Sequence, residues 1–244
     1  MISNQSTKYF AVVRNKIGHD ALKICYDHLA TIDIYDCNKP TEDFLTFCSR
    51  LITTSSKGNN SIFLLNLWGD KIFTRDVIEC LSSSINLHPG LLPAQAGSHT
   101  ITKAILNQEV CGCSINQLHN KLDKGNLFAE CCPISASDLN SGFELRSLIN
   151  ASLLDMLKTN AHWILKLESK SLTWAGNNGT YQITTKRDVN IEQTREISSF
   201  KTSYELLAWI LAYDFACENS LGKIKYKNSS GETKYISLKK EDLD

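Results

Sequence analysis

The chain has 244 residues, and its 26 basic residues are matched by 26 acidic ones, so the formal net charge is zero. A protein that grips a nucleic-acid backbone usually shows a basic excess or a Lys/Arg stripe; the one charge run, LKKEDLD at the end, is of mixed sign, so nucleic acid is not an expected partner. Nine cysteines are an odd number in a chain long enough to bury a core without disulfide staples, which predicts reduced thiols, and YFAVV (9–13) is too short for a signal peptide or a membrane span, which predicts a cytoplasmic protein without membrane contact.

In chain order, YFAVV reads as a first buried strand and residues 17–30 as a helix, with Ala21, Leu22, Ile24 and Cys25 on its apolar side. TIDIYD (31–36) alternates like a strand, and Thr41, Glu42 and Asp43 open a second helix through Phe44, Phe47 and Leu51. SIFLLNLW (61–68) is apolar almost throughout, which predicts a strand covered on both faces in a parallel sheet. A short helix is expected at 75–81, the strand SINLH at 84–88 and a helix at about 98–107. Two further strands are predicted at 111–119 and 126–134, joined by the turn NKLDKG, and apolar positions from Leu145 to Leu165 follow helical spacing.

This alternation predicts an α/β fold: a three-layer domain with a mostly parallel sheet over residues 1–168. A small C-terminal α+β subdomain is expected over 169–244. There WAGNNGTYQ is turn-rich, YELLAWILAYDF (204–215) reads as a helix, and KIKYKNSSGETKYISL reads as two strands around an NSSG turn.

Asn86 and His88 stand two apart at the end of a strand, so both project from one face before Pro89-Gly90 ends it. The carboxyl ends of strands are where open α/β sheets place their chemistry. Asp123, in the turn between the next two predicted strands, is a candidate third partner. An amide donor, an imidazole and a carboxylate together suit attack on a carbonyl, with the donors holding the developing oxyanion and the other two groups moving protons.

The runs INLHPGLLPAQAG (85–97), HTITKAILNQEVCGCSI (99–115) and LDKGNL (122–127) resemble the signature region of the 10-formyltetrahydrofolate-dependent formyltransferases, which reads roughly N-x-H-P-S-L-L-P, A-I-L-N-G-E, T-G-V-T-I-H and L-D-x-G-x-I. Gly90 stands where Ser is usual, Gln108 where Gly is usual, and Cys111 and Cys113 where Thr and Val are commoner. The resemblance implies a Rossmann-like formyltransferase domain and direct transfer of a formyl group from 10-formyltetrahydrofolate to an amine through a tetrahedral intermediate. It places Asn86 on the formyl oxygen, His88 on the oxyanion and a proton, and Asp123 on His88 and the amine's proton. WGDKIFTRDVI (68–78) resembles the wall of the pterin pocket, which makes Ile72, Phe73 and Val77 candidate folate contacts, or else ordinary core, beside Leu122 and the 119–123 turn.

The tail resembles the end of the sugar N-formyltransferases, which implies a dTDP- or UDP-linked amino-deoxysugar as acceptor and a homodimer. Gly97, His99 and Trp209 are the candidate acceptor contacts. Glycinamide ribonucleotide or another small amine is the alternative acceptor, and a folate- or nucleotide-binding protein without turnover is the alternative of a different class. The C-x-C and C-C spacings of Cys111, Cys113, Cys131 and Cys132 lack a zinc-knuckle form, so no metal is expected.

Overall fold

Three apolar runs in the first third of the chain become neighbouring parallel strands. The computed structural model describes residues 6–57, 60–135, 142–166, 183–184, 194–213 and 223–236. Among these, one compact unit holds the residues up to His88, 113–131 and those from Ala151 to 166; a second holds 89–112, 132–150 and the described residues from 183 on.

In the first unit β1 (Thr7–Val13) pairs in parallel with β2 (Asp33–Asp36) and β3 (Ser61–Leu67), and β3 pairs in parallel with β4 (Ser83–His88). Two antiparallel strands, β7 (Ser114–Asn116) and β8 (Leu127–Glu130), complete a six-stranded sheet in the order β2-β1-β3-β4-β7-β8. The sheet is mostly parallel and the domain is mixed α/β, as the sequence alternation requires.

The apolar runs are buried because helices cover the sheet. Helix α1 (Asn15–Tyr26) turns Ile17, Ala21, Leu22 and Cys25 inward. Helix α2 (Phe44–Ser56) and the short α3 (Arg75–Cys80) cover a core of Phe10, Val12, Tyr35, Phe47, Leu51, Ile62 and Leu64. Asp43 caps α2 rather than lying inside it: its Oδ1 accepts from the Thr46 backbone N–H at 2.9 Å, satisfying one of the helix's orphan donors. Across the other sheet face Tyr9 stacks on Phe63 at 5.6 Å and donates its hydroxyl to the Leu165 carbonyl at 3.2 Å.

Two predicted strands are broken. The 111–119 run divides into β6 (Val110–Cys111) and β7, with Gly112 between them; the 126–134 run divides into β8 and β9 (Ile134–Ser135), with Pro133, which has no N–H to donate, before the second piece. β6 and β9 pair with each other in the second unit. That unit also holds β5 (Ala96–Gly97) paired with β10 (Ile183–Thr184), and helix α4 (Thr100–Asn107) against α6 (Ser203–Tyr213). Its last sheet is β11 (Thr194–Glu196), β12 (Lys223–Lys227) and β13 (Thr233–Ile236), with the NSSG turn joining the final antiparallel pair. The long helix α5 spans Gly142–Ile164. The run WAGNNGTYQ, Phe215 and the expected 168/169 boundary lie outside the described residues. No described helix is long and apolar enough to cross a membrane.

Candidate active site

Register at the carboxyl edge of the sheet aligns three asparagines. Asn66 on β3 is the Cα partner of Asn86 on β4, which is in turn the partner of Asn116 on β7. All three are buried, and a buried amide must find partners or lose the free energy of its water contacts. They find one another: Asn66 Nδ2 donates to Asn86 Oδ1 at 2.7 Å, and Asn86 Nδ2 donates to Asn116 Oδ1 at 3.1 Å.

The second proton of the Asn86 amide goes to Asp123 Oδ1 at 3.2 Å. The other carboxylate oxygen lies 3.6 Å from His88 Nδ1, and the two side chains are only 4% and 8% exposed. That separation exceeds a hydrogen bond. The structure therefore brings Asn86, His88 and Asp123 together within the first unit.

Asp123 is held by a turn of unusual shape. Its own φ is +52°, a left-handed conformation that Asp tolerates better than most residues. The turn closes through Gln117 N–H to the Asn126 carbonyl at 2.8 Å and Lys124 N–H to the Lys121 carbonyl at 3.2 Å. At Gly125 an added Cβ would fall 1.8 Å from the Gln117 carbonyl oxygen, so only glycine fits there.

Among the described residues no group of three or more His, Cys, Asp or Glu side chains is placed to hold a metal ion. An amide N–H pair, an imidazole and a carboxylate in a water-poor setting can instead hold a carbonyl oxygen that gains charge and exchange a proton with an attacking amine.

Residues 58–148, which include all three groups, match the family model described as formyl transferase. The similarity to formyltransferases is thus confined, at the level of the family model, to this segment. The resemblance read from its motifs is thereby borne out over that stretch. Methionyl-tRNA formyltransferase of Borrelia duttonii (strain Ly) is 26% identical over 113 residues, which are 46% of this chain and 36% of that enzyme; the match thus spans little more than a third of the relative. Two solved formyltransferases share the fold. The 4-N formyltransferase of Francisella tularensis superposes with a TM-score of 0.76 at 15% identity, covering 95% of this chain and 97% of its own. The N-formyltransferase of Helicobacter canadensis, in complex with folinic acid and dTDP-3-aminofucose, gives 0.65 at 20% identity over 85% and 81% of the two chains.

The other residues singled out in the formyltransferase reading are placed as follows. Val77 is fully buried and Phe73 nearly so, both in the core with Phe10, Tyr35 and Phe47. Ile72 (79% exposed) and Leu122, beside Asp123, face solvent. In the second unit Gly97 lies on β5 with φ +94°, and His99 precedes α4 in a left-handed conformation, φ +58°. Trp209 is buried on α6, 5.2 Å from the Tyr213 ring and 5.8 Å from Phe200, so it packs in that unit's core. Asn66 and Asn116 were not anticipated. The signal available was an isolated asparagine inside SIFLLNLW, a polar group in a strand covered on both faces.

Cys113 and Cys131 flank the strands that carry this turn. Cys113 donates its backbone N–H to Cys131 Sγ at 3.1 Å, and no disulfide is formed among the described cysteines. Hydrogen bonding from Cys113 outweighs burial and lowers the Cys131 thiol to about 7, whereas burial alone pushes Cys25 up to about 12. The thiolate is the nucleophile, so iodoacetamide labelling of Cys131 is expected to rise with pH through a half-point near 7 while Cys25 stays unlabelled. Peptide mass spectrometry across a pH series checks this; a half-point above 8.5 contradicts it.

Proposed function

We infer that the protein transfers a formyl group from 10-formyltetrahydrofolate to the amino group of a dTDP- or UDP-linked amino sugar. The observation that carries the reading is the convergence of Asn86, His88 and Asp123 at the carboxyl edge of the sheet, inside the segment that matches the formyl transferase family. The sugar-nucleotide acceptor is supported by the shared fold of the Helicobacter canadensis enzyme, whose structure holds folinic acid and dTDP-3-aminofucose.

The chemistry follows from the donor set. The acceptor nitrogen adds to the formyl carbon, and the carbonyl oxygen takes the electron pair. Asn86 gives that oxygen one of its N–H groups, exchanging the long bond to Asp123 for a charge-assisted one. With Nδ1 on the side of Asp123, His88 offers Nε2 as the nitrogen that stabilises the oxyanion and passes a proton. Asp123 keeps the imidazole oriented and accepts the proton that the amine loses, directly or through a water. Collapse re-forms the C=O bond, breaks the bond from carbon to the folate nitrogen, and returns a proton to that nitrogen.

A second reading, formylation of methionyl-tRNA, is favoured by the Borrelia duttonii match; the zero net charge weighs against it, because an RNA acceptor calls for a basic surface. The test is a panel of dTDP- and UDP-linked amino sugars, glycinamide ribonucleotide and methionyl-tRNA with 10-formyltetrahydrofolate, read by mass spectrometry. Gain of one formyl group on a sugar nucleotide is expected. Transfer to the tRNA or ribonucleotide alone would replace the acceptor assignment, and no transfer with donor still bound would make the protein a binder. We also expect a homodimer, which light scattering checks.

A further inference from the structure

On the β1 side, and along its own strand, Asn66 is surrounded by carbon. Its neighbour on β1 is Val12, and two residues earlier on β3 stands Leu64, paired with Phe10. At 5% exposure the amide is sealed, yet it is only half satisfied: Nδ2 donates to Asn86 Oδ1 at 2.7 Å, while Oδ1 meets no hydrogen-bond partner among the described residues. A residue kept for packing alone would be better as leucine, because the unpaired oxygen costs free energy that an apolar side chain does not. The backbone makes room for it as well. A Cβ at Gly69 would fall 2.3 Å from Asn66 Oδ1 and 2.6 Å from Val12 Cγ1.

What this arrangement achieves is read from its directions. The Asn86 amide could present either its oxygen or its NH2 to the reacting side. Asn66 supplies an N–H on one side of it; Asn116 Oδ1 and Asp123 Oδ1 supply acceptors on the other. Only one orientation satisfies all three contacts, with the Asn86 oxygen towards β3 and its NH2 towards Asp123. The bond from Asn66 is the shortest of the three. By drawing electron density to the Asn86 oxygen it also makes the Asn86 N–H groups better donors.

We propose that Asn66 is a positioning residue for formyl transfer: its N–H locks the Asn86 amide so that the NH2 faces the reacting oxygen. This rests on the reading of Asn86 as the oxyanion donor. Asn66→Leu removes the lock, and Asn66→Asp reverses it, because an acceptor-only carboxylate draws the Asn86 NH2 towards β3.

Both variants are expected to lower kcat by roughly 10- to 100-fold, Asp more than Leu, with KM for donor and acceptor within about twofold. In an Asn86→Ala background, Asn66→Leu should change kcat by less than about threefold, since the group it positions is gone. An Asn66→Leu rate within threefold of the parent, a loss carried by KM, or losses that multiply in the double variant would overturn the assignment. If the parent transfers no formyl group to any acceptor, the functional reading fails by itself. The lock is then read from urea midpoints of Asn66→Leu, Asn86→Leu and the pair: midpoint shifts that fall short of their sum support it, and additive shifts overturn it.

Discussion

An Asn86→Ala enzyme is expected to transfer formyl groups about 10²- to 10³-fold more slowly than the parent, the usual cost of deleting one donor from an oxyanion site. Asn86 donates to both Asn116 and Asp123, so alanine removes from the site the N–H pair that the mechanism turns towards the oxygen. The loss should appear in kcat rather than KM, because the bond to the substrate oxygen strengthens as charge develops there. Stability falls as well, by about 1–3 kcal/mol, since alanine leaves the buried Asn66 N–H without its acceptor. Measuring kcat at a temperature well below the variant's unfolding midpoint separates the two effects. A folded variant with a rate within threefold of the parent would remove Asn86 from the mechanism.

The pair Asn86 and His88 was legible because strand alternation needs no tertiary information: two residues apart means one face. Asp123 could not be reached that way. It lies 37 residues from Asn86, and only its place in LDKGNL, set against a family pattern, joined it to the other two. Asn66 and Asn116 escaped both routes. Asn66 lies outside the quoted motifs and Asn116 falls at the last position of T-G-V-T-I-H, where the pattern has His; their meaning comes from cross-strand register, Asn66 against Asn86 against Asn116, which no local pattern encodes. The interruptions at Gly112 and Pro133 fall inside runs whose apolar content alone predicts continuous strands, so there the breakers outweigh the apolar pattern. Phe73 and Val77 show the opposite limit. Their resemblance to a pocket wall located the segment, while packing is what sorts its side chains: Val77 on α3 and Phe73 just before that helix join the core, and Ile72 stays outside.

The same geometry makes Gly125 a residue of large effect although it carries no chemical group. Asp123 reaches Asn86 and His88 only because the turn after β7 folds back tightly enough for Gln117 N–H to meet the Asn126 carbonyl. The point where Gly125 passes the Gln117 carbonyl has no room: a Cβ there would sit 1.8 Å from the oxygen and 2.6 Å from the carbonyl carbon. Those are backbone atoms, so no rotamer change relieves the clash and the turn itself must move. A shift of about 1 Å in a catalytic group can cost 10²-fold in rate. Gly125→Ala is therefore expected to lower kcat by about two orders of magnitude and Gly125→Val by at least as much. Global stability should fall by about 1–3 kcal/mol, the range of strained-backbone substitutions. Asn86, His88 and the Asn66 contact lie on strands outside this turn, so the damage should centre on Asp123. Paired variants read this: Asp123→Ala should cost little more in a Gly125→Ala background than Gly125→Ala alone. Independent, multiplying losses would place the origin of the Gly125 effect elsewhere than in the position of Asp123.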